Sequence, residues 1–251
     1  MTFDALREQA CEANLALVGH GLVLLTWGNA SAFDPESGVM AIKPSGVPYA
    51  DLTPREMVLV EVGSGRVLDG AGRPSSDTDT HRGLYAAFGG VRGVVHTHST
   101  YATAWAQSGL DLPCLGTTHA DDFRGPVPCT RPLSAAEIGA PEGYEHATGA
   151  AIVREFRERG LDPLGVPGVL VHGHAPFTWG ESAGGAVHAA VVLERVAQLA
   201  LLARLLAPNA PPLAGALLDR HHSRKHGPNA SYGQPGSAPQ SGGQDRKGKV
   251  P

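Results

Sequence analysis

The chain has 251 residues, 42% hydrophobic and 18% charged, enough apolar matter for a full core and a composition foreign to fibres and wholly disordered chains. A formal net charge of −4, a pI near 6.3 and no strong Lys/Arg run leave no nucleic-acid footprint, so an anionic ligand has to be met by local donors. The acidic amino terminus lacks a signal-peptide pattern and Arg195 and Arg204 interrupt the apolar stretch 183–207, while Cys11, Cys114 and Cys129 show no Cys-x-x-Cys spacing; the expectation is a cytoplasmic protein.

Thr2 is placed to cap a first helix, in which Leu6, Ala10, Ala13 and Leu17 recur at helical spacing as far as about Gly21. Residues 22–27 then read as a strand running into Gly28-Asn29-Ala30-Ser31, which is either a plain turn or one that offers an N–H and an amide to an anion. Residues 39–43 read as a strand entering Pro44-Ser45-Gly46. With the Ser45 hydroxyl, close backbone approach at Gly46 and Lys43 adjacent, this is a phosphate cradle without Walker spacing. Thr53-Pro54-Arg55-Glu56 carries a capping box with Pro at the first helical position, and residues 57–62 and 66–68 pair as a hairpin. Pro74-Ser75-Ser76-Asp77-Thr78 opens a helix over 78–88, either as an N-cap cluster or as a phosphate-binding helix start with Asp77 facing a metal.

Gly93-Val94-Val95-His96-Thr97-His98 is a short apolar strand ending on two histidines. Alternate strand residues face one side, so His96 and His98 project together toward one divalent ion. That spacing arises readily by chance among twelve histidines, and context carries the inference: a second run, 168–174, ends on His172 and His174. Two such strands bring three ligands around one ion, and three protein ligands with a position left open is the pattern of a catalytic zinc site.

A helix over 100–107 and an apolar run over 112–117 lead into Thr117-Thr118-His119-Ala120-Asp121, a loop beside the metal strand of the kind that concentrates catalytic groups. Residues 125–130 are extended, 134–144 form a loop with room for a short helix, and 148–159 form a helix closed by Gly160. After the strand 169–172 and Phe177-Thr178-Trp179-Gly180, Glu181-Ser182 caps a long helix to about 206. A charged helix over 213–226 has too narrow an apolar face to bury alone and suits a neighbouring subunit. The tail 235–251 cannot offset its ordering entropy and is expected to be disordered, leaving 1–234 as one domain.

Together, Gly28-Asn29-Ala30-Ser31, Lys43-Pro44-Ser45-Gly46, Pro74-Ser75-Ser76-Asp77-Thr78, His96-Thr97-His98-Ser99 and Gly116-Thr117-Thr118-His119-Ala120-Asp121 resemble the class II aldolase and epimerase superfamily, nearest its pentulose-phosphate 4-epimerases. The resemblance implies a three-layer α/β/α fold around a central mixed, largely antiparallel sheet, and a homotetramer with sites at subunit interfaces. It implies a zinc ion, or Mn2+ or Co2+ in its place, held by His96, His98 and His172 with Asp77 as an additional ligand, and His174 outside the set. Gly28, Asn29, Ser45, Gly46, Ser75 and Ser76 would hold a sugar phosphate. Asp121, and Tyr232 arriving from a neighbouring subunit, would be the acid/base pair. Sibling aldolases carry a glutamate base where Asp77 stands, so the aspartate favours epimerisation between L-ribulose 5-phosphate and D-xylulose 5-phosphate at C4. A sugar-phosphate aldolase of the same superfamily and a non-catalytic assembly module like an adducin head are the alternatives.

Overall fold

One sheet, with a different apolar face on each side, organises the helices that cover it. The computed structural model describes residues 1–227 and 230–231; Tyr232 and the tail 235–251 lie outside the described residues. Helix α1 (Phe3–Gly19) is capped by the Thr2 hydroxyl, which accepts from the Ala5 amide. Strands β1 (Asn29–Asp34), β2 (Val39–Ile42), β3 (Val58–Glu61) and β4 (Val67–Asp69) follow as a meander, and a 3₁₀ turn with a Thr53/Glu56 capping box precedes β3. Helix α2 (Thr78–Ala87), strand β5 (Gly93–His96) and helix α3 (Thr100–Ser108) come next. The short helices α4 (Thr117–Ala120) and α5 (Ala135–Ile138) precede α6 (Tyr144–Arg159). The hairpin β6 (Gly168–Leu170) and β7 (Pro176–Gly180), then α7 (Ala183–Leu206) and α8 (Gly215–His226), complete the order.

The sheet runs β4-β3-β2-β1-β5-β7-β6, and all of these neighbours pair antiparallel. The parallel component expected of a mixed sheet is reduced, among the described residues, to a bridge between Cys129 and Leu170. Because side chains alternate along a strand, Met40, Ile42, Val58, Val60 and Val94 join one core with Leu84, Ala102, Ile152 and Val196 from α2, α3, α6 and the later part of α7. Val39, Ala41, Leu59 and Val95 point the other way, onto Leu6, Ala10 and Leu17 of α1 and Ala186 and Ala190 of early α7. Helices therefore cover both faces, giving the three layers. Phe177 and Trp179 are fully buried in the first core, where a side chain of that size contributes roughly 1.5–3 kcal/mol.

Two local expectations are corrected. No strand forms at 22–27: Leu24, Leu25 and Trp27 are exposed and the strand begins at Asn29. The cause is tertiary. Buried Asn14 on α1 donates to the carbonyl of Ala30 at 2.9 Å and accepts from the Ala30 amide at 2.9 Å, pinning β1 there. Helix α6 starts at Tyr144, four residues before the expected start. Helix α8 packs on its own chain, where Arg224 and Lys225 pair with Asp121 and Asp122. Among the described residues no helix is long and apolar enough to cross a membrane.

Candidate metal centre and phosphate cleft

Strand β5 ends at His96, whose ring stacks on Phe177 with centroids 4.2 Å apart. Its Nδ1 donates to the Pro176 carbonyl oxygen at 2.9 Å. A carbonyl only accepts, so the proton of the neutral imidazole sits on Nδ1 and the lone pair on Nε2. That Nε2 stands 3.1 Å from Nε2 of His98. Burial pushes the pKa of His98 down.

The third ring of the cluster belongs to His174, not His172. The His174 ring centroid lies 4.9 Å from that of His96 and 5.1 Å from that of His98. Burial, and then the two neighbouring rings, lower its pKa to about 4. One donor atom from each of His96, His98 and His174 falls within 4.8 Å of the others. His172 instead covers Gly109, where an added Cβ would meet its Nε2 at 2.5 Å. The reason is the hairpin. β6 stops at Leu170, and residues 171–174 form a turn in which the His174 amide donates to the Val171 carbonyl and Gly173 takes φ +71. The two-residue alternation that would equate 172 with a strand ligand has ended before it reaches either histidine.

Asp77 occupies the N-cap position of α2 and lines the same cleft. Burial opposes its ionisation, but the His96 and His81 rings and the Asn29 amide hold its carboxyl below the usual carboxylate range. Asn29 Nδ2 donates to Asp77 Oδ2 at 2.7 Å, joining the start of β1 to the start of α2. Converging imidazole nitrogens, one of them fixed as a bare lone pair, beside an ionised carboxylate form a donor set that fits a divalent cation.

The cleft, about 600 Å³, also brings together Gly28, Lys43, Ser45, Gly46, Ser75 and Ser76. Two of its loops are stitched to each other: the Ser75 amide donates to the Lys43 carbonyl at 3.0 Å, and the Ser45 amide to the Arg73 carbonyl at 2.9 Å. Lys43 is buried and donates to the Val47 carbonyl at 2.7 Å and the Pro44 carbonyl at 3.3 Å, so its ammonium shapes the Ser45 loop as well as charging the cleft. Burial lowers its pKa. Gly28, at φ +91, lets the opposite loop close on β5, since a Cβ there would lie 2.8 Å from the His96 carbonyl oxygen.

Trp27, Tyr144 and Glu145 line the cleft as well, and no sequence pattern singles them out. Tyr144 places its hydroxyl 3.3 Å from Nδ1 of His174. A single aromatic at the first position of a helix carries no periodic signal. Asp121 is not among the lining residues. Its carboxylate accepts from His221 Nδ1 at 2.9 Å and from Arg224 Nη2 at 2.9 Å.

Residues 8–201 match the model of the class II aldolase and adducin N-terminal domain. The chain is 50% identical over 229 residues to proteins named L-ribulose-5-phosphate 4-epimerase UlaF from Salmonella paratyphi A and Salmonella typhi, covering 91% of this chain and 98% of each relative. Among solved structures, an L-fuculose 1-phosphate aldolase superposes with a TM-score of 0.73 at 24% identity, over 88% of this chain and 95% of that one. The L-fuculose-1-phosphate aldolase of Thermus thermophilus does so with a TM-score of 0.62 at 26% identity, over 82% of this chain and 99% of that one.

Proposed function

Because the chain belongs to the class II aldolase and adducin N-terminal domain family, we propose that it is a metal-dependent epimerase interconverting L-ribulose 5-phosphate and D-xylulose 5-phosphate at C4. The observation that carries this reading is the cleft itself: three converging imidazoles and Asp77 at one end, a cradle of glycines and serines at the other. The relatives at 50% identity bear the same activity in their names.

The hydrogen on C4 of such a ketose is not adjacent to the carbonyl, so simple deprotonation does not invert that centre. Breaking and re-forming the C3–C4 bond does. When bound by His96, His98 and His174 with Asp77, a divalent cation, zinc or else Mn2+ or Co2+, supplies Lewis acidity that polarises the ketose oxygens. Ser45, Gly46, Ser75 and Ser76 grip the phosphate, so the glycolaldehyde phosphate fragment stays in the cleft and turns its other face. Inversion needs one group to take the C4 hydroxyl proton and another to return a proton on the opposite face. Asp121 and Tyr232 are the pair proposed for this. Burial opposes ionisation of Asp121, but hydrogen bonds from Arg224 and His221 hold its carboxyl below the usual range, which leaves it in the form of a base. On this reading Asp121, which stands off the cleft of its own chain, serves the cleft of a neighbouring copy in a homotetramer with its sites at subunit interfaces.

The test is to supply L-ribulose 5-phosphate and follow D-xylulose 5-phosphate, with metal analysis before and after chelation. The proposal expects conversion that chelation abolishes and added divalent metal restores. Accumulation of dihydroxyacetone and glycolaldehyde phosphate without D-xylulose 5-phosphate would instead identify an aldolase.

A further inference from the structure

We infer that Glu194 is a positioning residue for the metal centre, holding His98 in place by capping helix α3 from a different element. The inference rests on reading His98 as a ligand. The ladders of β5 with β1 and β7 stop at His96. The Thr97 amide reaches the Pro176 carbonyl only at 3.5 Å, so the sheet does little to fix the backbone of His98. On its other side α3 begins at Thr100, two residues on.

A helix start exposes amides that need acceptors. Ser99 stands in the N-cap position, yet its side chain makes no capping bond. The carboxylate of Glu194, from the middle of α7, takes that place: it accepts from the Tyr101 amide at 2.9 and 3.1 Å and from the Ala102 amide at 2.9 Å. A carboxylate here is favoured by the helix dipole, and its bonds are charge-assisted. One turn further along α7, the Ala197 carbonyl accepts from Trp105 Nε1 at 3.0 Å, fastening α3 a second time. The first part of α7 is tied to β7, the strand that follows His174, through Thr178 Oγ1 donating to the Ala186 carbonyl at 3.0 Å. One helix thus sets the position of the segment carrying His98 relative to the segment carrying His174.

The experiment compares wild type, Glu194→Ala and Glu194→Gln for Co2+ affinity, the visible absorption of bound Co2+, and melting temperature without metal. Alanine should weaken Co2+ binding at least about tenfold and alter the spectrum, while glutamine, which keeps an acceptor oxygen, should stay within about threefold of wild type. A cap of structural value only would lower the metal-free melting temperature and leave affinity and spectrum unchanged; that result overturns the inference. Should alanine prevent folding, Glu194→Asp decides, because it keeps the charge but draws the oxygens back by one methylene: weakened Co2+ binding supports the inference, and wild-type binding overturns it. Co2+ binding that is absent from wild type, or survives His98→Ala, refutes the metal centre itself and is thereby distinguished from a failure of Glu194.

Discussion

Nδ1 of His96 donates to the carbonyl oxygen of Pro176 at 2.9 Å. This contact fixes the tautomer that turns Nε2 into the cleft, and it joins the end of β5 to the start of β7, two residues after His174. Removing a group that orients a ligand ring commonly costs about ten- to a hundredfold in metal affinity. The centre is therefore built from constraints that lie behind the rings.

Tyr144 is one of those constraints, its hydroxyl standing 3.3 Å from Nδ1 of His174. Tyr144→Phe keeps the ring and removes the hydroxyl. It should weaken metal binding by about tenfold with little change in melting temperature, as read by competition against a chromophoric chelator. Wild-type affinity in the variant would remove Tyr144 from the account.

The proposed phosphate cradle predicts a different kinetic signature. Ser75 sits where the Ser75 and Lys43 backbones pair, and Ser75→Ala should delete one hydrogen bond to a charged phosphate, worth about 1.5–3 kcal/mol. KM for L-ribulose 5-phosphate should rise about tenfold or more with kcat changed far less. A fall in kcat at constant KM would place Ser75 in the chemistry instead.

Stability should depend on pH through His119, which is buried and has its Nε2 2.7 Å from the Gly125 carbonyl oxygen. Burial lowers its pKa to about 4, against the opposing effects of that carbonyl and of Asp122. The unfolded chain, titrating near 6.5, takes up the proton first as pH falls. The stabilisation is complete above about pH 6.5 and is lost on the way down to about pH 4, a range worth roughly 3 kcal/mol. His119→Gln keeps a donor for Gly125 without titrating. Urea unfolding at pH 7 and pH 4.5 should show the gap between the two shrinking by about 2 kcal/mol in the variant; an unchanged gap would contradict it.

Much of the fold was legible because burial leaves a periodic trace. Residues 39–42 and 58–60 alternate between two cores, and Thr2, Thr53 and Ser182 cap the helical turns that follow them. His96, His98, Asp77 and the serines of both loops come together in one cleft, and each lies within three residues of a strand end or helix start. What failed depends on tertiary contacts. Asn14 decides where β1 begins, and the turn at 171–174 decides which histidine meets His96. The family resemblance favoured His172, and neither that resemblance nor strand spacing registers a turn that starts one residue after Leu170.

The most direct measurement is metal per chain, with epimerase turnover, in His174→Ala beside His172→Ala. His174→Ala is expected to fold but retain no metal and no activity, while His172→Ala keeps its metal and most of its turnover. Metal and turnover surviving in His174→Ala and lost in His172→Ala would contradict a centre built on His174.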